Sequence, residues 1–174
     1  MKIWYNEPAP YWEGALPIGN GKIGAMVYGG IERETLQLNE DTIWSGPGEY
    51  GFDKNAPQRV AQARDLIREG KYSKATEFID SQILLERDEC QSYQTAGFLF
   101  IDFDLPDGET SGFQRSLSLE TGVASQRFER AGVVFDRESF VSFPDVVMCV
   151  RITASQPGSV GLTTSFESPM PYFT

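Results

Sequence analysis

Asn39-Glu40-Asp41-Thr42-Ile43-Trp44-Ser45-Gly46-Pro47 gathers two carboxylates, an amide and an indole between a strand-like segment and a Gly/Pro-rich loop. Sugar-facing surfaces use this mixture. Carboxylate and amide oxygens accept hydrogen bonds from hydroxyls, and an aromatic face stacks on the C–H face of a pyranose. Asn39, Glu40 and Trp44 are therefore the candidate substrate-rim residues. The same residue types also serve architecture, with Asn39 and Asp41 holding a turn and Trp44 packing as core. Glycoside hydrolysis commonly needs two carboxyl groups flanking the scissile bond. In an extended segment Glu40 and Asp41 would point to opposite faces, so they are not expected to act as a pair.

Two further motifs have chemical look-alikes. Gly19-Asn20-Gly21-Lys22-Ile23-Gly24 fits G-x-G-x-x-G, in which glycines let the backbone approach a pyrophosphate at a helix N-terminus. That mechanism needs a helix after the glycines, whereas Ala25-Met26-Val27-Tyr28 is strand-like and ends at Gly29-Gly30, so a tight turn is expected and no cofactor. Asp102-Phe103-Asp104-Leu105-Pro106-Asp107-Gly108 has the acid density of a calcium loop. The register is wrong, because an EF-hand would put Gly where Asp107 stands and Glu where Phe113 stands. Solvated acids at a strand end are expected there, and no metal. The chain contains no histidine, which removes the histidine-based triads and zinc sites and leaves carboxylates as the acid-base groups. Cys90 and Cys149 stand far apart and read as isolated buried thiols.

The 174 residues are enough for one domain, and with 25 acidic against 15 basic side chains the formal charge is -10. Such a surface lacks the basic footprint that nucleic acids or anionic membranes require, and a neutral or cationic partner fits better. No apolar run is long enough for a membrane span. The opening Met1-Lys2-Ile3-Trp4-Tyr5 runs into Asn6-Glu7-Pro8 and does not read as a signal peptide, which leaves localisation open. The ending at Ser165 to Thr174 follows directly on a strand and reads as cut.

The elements that must position these residues fall into three regions. Residues 1 to 52 hold short strands between turns, with Met26-Val27-Tyr28 and Thr35-Leu36-Gln37-Leu38 expected to form a hairpin across Gly29-Gly30. Val60, Ala63 and Ile67, then Tyr72, Ala75, Ile79 and Ile83, recur at helical spacing on either side of Gly70 and predict two short amphipathic helices near 57–85 packed on something larger. From Phe98 to Phe166, β-type runs are broken by turn signals at Pro106-Asp107-Gly108, Gly112, Gly122, Ala131-Gly132, Pro144-Asp145 and Pro157-Gly158. The fold class expected is mainly β, a sandwich of two antiparallel sheets with a two-helix insertion. The segment Val146 to Thr153, apolar on both faces, is expected to be a central strand covered on both sides.

The stretches Trp4-Tyr5, Pro8-Ala9, Trp12, Ala15 to Gly30 and Leu36 to Pro47 resemble glycoside hydrolase family 95, the α-L-fucosidases of the 1,2-α-L-fucosidase type. The resemblance continues through Tyr93-Gln94-Thr95-Ala96-Gly97, Arg115 to Ala124, Arg137-Glu138, Pro144-Asp145 and Val150 to Ala154, and so covers nearly the whole chain. It implies the N-terminal β-super-sandwich of an enzyme whose inverting chemistry is carried by an (α/α)6 barrel absent from these residues. The partners it implies are a fucosylated oligosaccharide in the intact enzyme and that barrel. No catalytic residue is carried onto this sequence, and Asn39, Glu40 and Trp44 are expected at most to line the rim of the barrel's site. The family pattern tends toward an acidic residue after Gly97, where this chain has Phe98. A carbohydrate-binding sandwich using Trp4, Trp12 and Trp44 without hydrolysis is the alternative. Without a covering domain the isolated chain is expected to self-associate through exposed edges and apolar surface.

Overall fold

A computed structural model describes residues 1–45, 54–84 and 92–171. Two compact units result: Met1–Ile43 with Gln94–Thr174, and Trp44–Tyr93.

The first unit is a sandwich of two five-stranded antiparallel sheets. One has the order β1 (Lys2–Tyr5), β6 (Thr110–Ser118), β7 (Val123–Arg130), β8 (Val133–Ser142), β9 (Val147–Ala154). The other runs β10 (Leu162–Glu167), β5 (Gly97–Phe103), β4 (Arg33–Glu40), β3 (Ile23–Val27), β2 (Leu16–Gly19). Alternation drives the assembly. Leu16 and Ile18 of β2, Ala25 and Val27 of β3, Leu36 of β4 and Ile101 of β5 turn inward from one sheet and bury with Leu117 and Ala124 from the other. A second cluster, Phe128, Val133 and Phe135 with Ile31, Leu105, Phe113 and Ala154, fills the remaining core.

The expected sandwich and hairpin are both present. β3 and β4 pair antiparallel, with Val27 opposite Leu36 and Met26 opposite Gln37. The glycines between them are required: a Cβ on Gly29 would lie 2.6 Å from Arg115 Cδ, and one on Gly30 would overlap the Arg33 carbonyl oxygen. The G-x-G-x-x-G run is the turn between β2 and β3. There the Asn20 carboxamide oxygen accepts the Lys22 and Ile23 N–H groups, both at 2.9 Å, around Gly21 at φ 90°. Asp102 lies in β5 and takes a two-point ion pair from Arg33, at 2.6 and 3.0 Å.

Three expectations are corrected. The strand expected to be central begins at Val147, pairs with β8 and forms the edge of its sheet among the described residues. Met148 and Val150 do pack on the core, but Val147 on the opposite face is exposed. An unbroken apolar run cannot distinguish a central strand from an edge one, because only the pairing partners decide it. Cys149, on that outer face, is a half-buried free thiol rather than a buried one, and Cys90 lies outside the described residues. The chain also does not stay extended past Glu40 but turns at Asp41-Thr42. The Asp41 N–H donates to the Lys22 carbonyl there.

In the second unit, α1 (Ala56–Arg68) and α2 (Tyr72–Gln82) pack on each other, and Ala63 and Ala75 are their buried positions. Gly70 at φ 74° ends α1. Its N–H bonds the Ile67 carbonyl at 3.0 Å and the Lys71 N–H reaches back to Leu66 at 2.9 Å, which closes the helix in a Schellman motif. No helix among the described residues is long and apolar enough to cross a membrane.

Candidate functional site

Asn39 and Glu40 close β4 in the first unit, opposite Gly24 and Ile23, at an end of the sandwich where several loops are tied together. The Asn20 amide donates to the Ser142 carbonyl at 2.9 Å, the Gln94 N–H bonds Ile43 at 2.9 Å, and the Thr95 hydroxyl bonds Leu38 at 3.3 Å. Ser142 in turn donates to Asp145 at 2.6 Å, beside Val146 at φ 52°, a backbone state that a β-branched residue adopts only where its surroundings hold it.

Within this cluster the Glu40 carboxylate accepts the Thr42 hydroxyl at 2.6 Å and the Thr42 N–H at 2.9 Å. Those two bonds, with smaller help from Asp41 and Lys22, hold its pKa below the ordinary carboxylate value. Glu40 is thus a fixed anion and hydrogen-bond acceptor at neutral pH, with the opposite tuning to a general acid. Trp44 belongs to the second unit. Its exposed ring meets Tyr93 edge-to-face at 5.1 Å, and the neighbouring Ser45 N–H bonds Ser92 at 2.9 Å. Phe98 lies in β5, stacked parallel to Phe100 at 6.0 Å.

A second polar cluster lies inside the sandwich, and the motif-based reading gave it no role. Glu34, Arg115, Gln126 and Arg137 are all buried. Arg137 donates to the Gly30 and Ile31 carbonyls, both at 2.6 Å, with its guanidinium 3.5 Å from the Phe103 ring centre. Gln126 donates to Gly29 at 3.0 Å, and Arg115 to Glu7 and Gly14, both at 2.7 Å. Glu34 accepts the Gly29 N–H at 2.7 Å and the Thr35 N–H at 3.1 Å. The network pins the Gly29-Gly30 corner to the opposite sheet. The available signal was strand parity: Arg115 shares its face with Leu117, Arg137 with Phe135, and Glu34 with Leu36.

Burial raises the Glu34 carboxyl to about 7, against the pull of the Gly29 N–H and Arg137. A carboxyl whose folded pKa exceeds its unfolded value binds its proton more tightly in the native state. Its stabilising contribution is therefore present at acid pH and is lost as pH rises through the window from 4.5 to about 7. Urea denaturation at pH 5 and pH 8 is expected to show a loss of about 2–3 kcal/mol from this group. Glu34→Gln should remove that part of the pH dependence.

The family model for "Glycosyl hydrolase family 65, N-terminal domain" matches residues 3–173. The chain belongs to this family. Among curated relatives of this N-terminal domain, α-L-fucosidase 2 of Arabidopsis thaliana is 38% identical over 98% of the chain, and a probable α-fucosidase A of Aspergillus niger is 34% identical over 97%. A probable α-fucosidase A of Aspergillus oryzae is 28% identical over 81% of the chain. The resemblance to α-L-fucosidases drawn from the motifs is borne out by these relatives. The N-terminal domain spans about a fifth of their length, 20% of the Arabidopsis protein and 22% of the Aspergillus niger one.

Proposed function

We propose that this chain is the N-terminal sandwich of a family 95 glycoside hydrolase. The full-length protein hydrolyses terminal 1,2-α-linked fucosyl residues with inversion, using a catalytic barrel elsewhere in its polypeptide. The single observation that carries this reading is the match to α-fucosidases along 98% of the chain but only 20% of the relative. The acid inventory supports placing the chemistry elsewhere. A general acid needs a carboxyl with a raised pKa open to substrate. Among the described residues the carboxyl with a raised pKa is Glu34, which is only 3% exposed inside the sandwich. Asn39, Glu40 and Trp44 act as scaffold and rim.

The test is proton NMR of the full-length protein with a 1,2-α-fucosylated oligosaccharide. β-L-fucose is the expected first product, because inversion of an α-linkage delivers the β-anomer. α-L-Fucose appearing first, or an intact substrate, overturns the proposal.

A further inference from the structure

The outward face of the sheet β1-β6-β7-β8-β9 carries a hollow of about 450 Å3, apart from the loop cluster and bordered on the sheet side by Gln126 and Arg137 of the buried network. That volume lies in the range of small-molecule sites. Strand register explains its lining. Ser116, Ser125, Glu138 and Arg151 stand directly opposite one another in a row across four strands, and Trp4, beyond the lining itself, continues the row on β1 opposite Ser116. In the adjacent row Gln114 faces Arg127, which faces Asp136. Arg127 donates to both Asp136 oxygens, at 2.8 and 2.7 Å, and Arg151 to Glu138 at 3.2 Å.

We propose that this hollow is a non-catalytic saccharide site that takes a neutral oligosaccharide. Its two exposed ion pairs, Arg127 with Asp136 and Arg151 with Glu138, are each neutral, and the Arg137 guanidinium donates to the Gly30 and Ile31 carbonyls inside the sandwich, so Lys2 is the odd charge left on the open face of the hollow, on a chain of charge -10. Each ion pair fixes donors and acceptors side by side, the arrangement that vicinal hydroxyls satisfy. Ser125 and Gln114 add groups that both donate and accept, while Ser116 is buried. Trp4, 60% exposed at the β1 edge of the same face, offers an indole against which the C–H face of a pyranose packs. A phosphate could take Arg127 or Arg151 only by displacing Asp136 or Glu138 from its ion pair, and an apolar ligand would find few apolar partners in this lining. No bond is broken here, and the site stands independently of where hydrolysis occurs.

Saturation-transfer NMR and tryptophan fluorescence test it on this chain with three probes: a 1,2-α-fucosylated trisaccharide, its unfucosylated disaccharide core, and a uronate-containing disaccharide. Saturation transfer to at least one neutral probe is expected. Trp4→Ala and Asp136→Ala should each weaken that binding at least tenfold, whereas Trp12→Ala, at a residue that neither lines the hollow nor belongs to this sheet, should leave it unchanged. Because Trp4 and Asp136 lie at the surface, unchanged amide dispersion serves as the check that both variants fold. Absence of transfer to both neutral probes, binding that survives in both variants, or preference for the uronate overturns the proposal. None of these results bears on whether the full-length protein releases fucose, so the two readings fail separately.

Discussion

Arg137→Met is expected to cost the domain about 3–5 kcal/mol, the range for breaking a buried charged contact by removing one partner. Arg137 is 4% exposed, and its two terminal nitrogens hold the Gly30 and Ile31 carbonyls at the corner where β3 passes into β4. Methionine fills much of the space between Phe103 and Phe128 but leaves both carbonyls without those donors. It also removes the positive charge that opposes the rise in the Glu34 pKa. Small domains are stable by about 5–15 kcal/mol, so the loss takes a large share of the total. Arg137→Lys retains the charge without the planar fork and should fall between wild type and Met. Combining Arg137→Met with Glu34→Gln should recover part of the loss, because the two groups share one network. Urea denaturation of the four proteins decides it. A cost below about 1 kcal/mol for Arg137→Met would mean that the carbonyls find other partners and the network does not anchor the corner.

Gly97→Ala should be comparably damaging for a different reason. Gly97 starts β5 at φ 120°, where L residues are strained, and an added Cβ would overlap the Glu167 carbonyl oxygen while lying 2.9 Å from Ser168 Cα. Those obstacles are backbone, so no side-chain rotamer relieves them. Strain of about 1–3 kcal/mol and overpacking of a similar size combine to about 3–5 kcal/mol. The displaced element is β10, which pairs only with β5 among the described residues. Amide exchange should therefore accelerate first in Leu162–Glu167. Gly122→Ala separates the two terms. Gly122 also has positive φ, at 66°, but open space around its Cβ position, so this variant should cost only about 1–2 kcal/mol. Equal costs at the two sites would show that the contact with Glu167 is irrelevant.

The parts of this fold that were readable share a physical cause. Turn residues between β-type runs marked off the strands from β5 to β10, and Gly29-Gly30 located the β3-β4 hairpin, because positive φ and tight corners restrict residue type strongly. Gly70 marked the helix boundary in the same way. β1 and β2 left weaker marks: each is four residues long, and β2 contains Pro17. The edge position of β9 was not legible, since neighbouring strands are chosen by contacts far apart in sequence. The candidate rim was legible as composition, but its geometry was not. Extended spacing separated Glu40 from Asp41, whereas the turn at Asp41-Thr42 instead wraps the Glu40 carboxylate in two hydrogen bonds from Thr42. Glu34 and Arg137 went unassigned because a charged residue in a strand reads as solvent-facing until its parity with Leu36 or Phe135 is known.

We propose that these 174 residues are part of a fucoside-hydrolysing protein whose chemistry is carried elsewhere in its polypeptide. The most direct measurement follows fucose release from a 1,2-α-fucosylated oligosaccharide by proton NMR, with this chain and the full-length protein in parallel tubes at equal concentration. The account predicts steady release by the full-length protein and, with the chain alone, no release above the protein-free control. Release of fucose by the chain at a rate proportional to its concentration would contradict the account and place the acid and base within the sandwich unit, the helical unit or both.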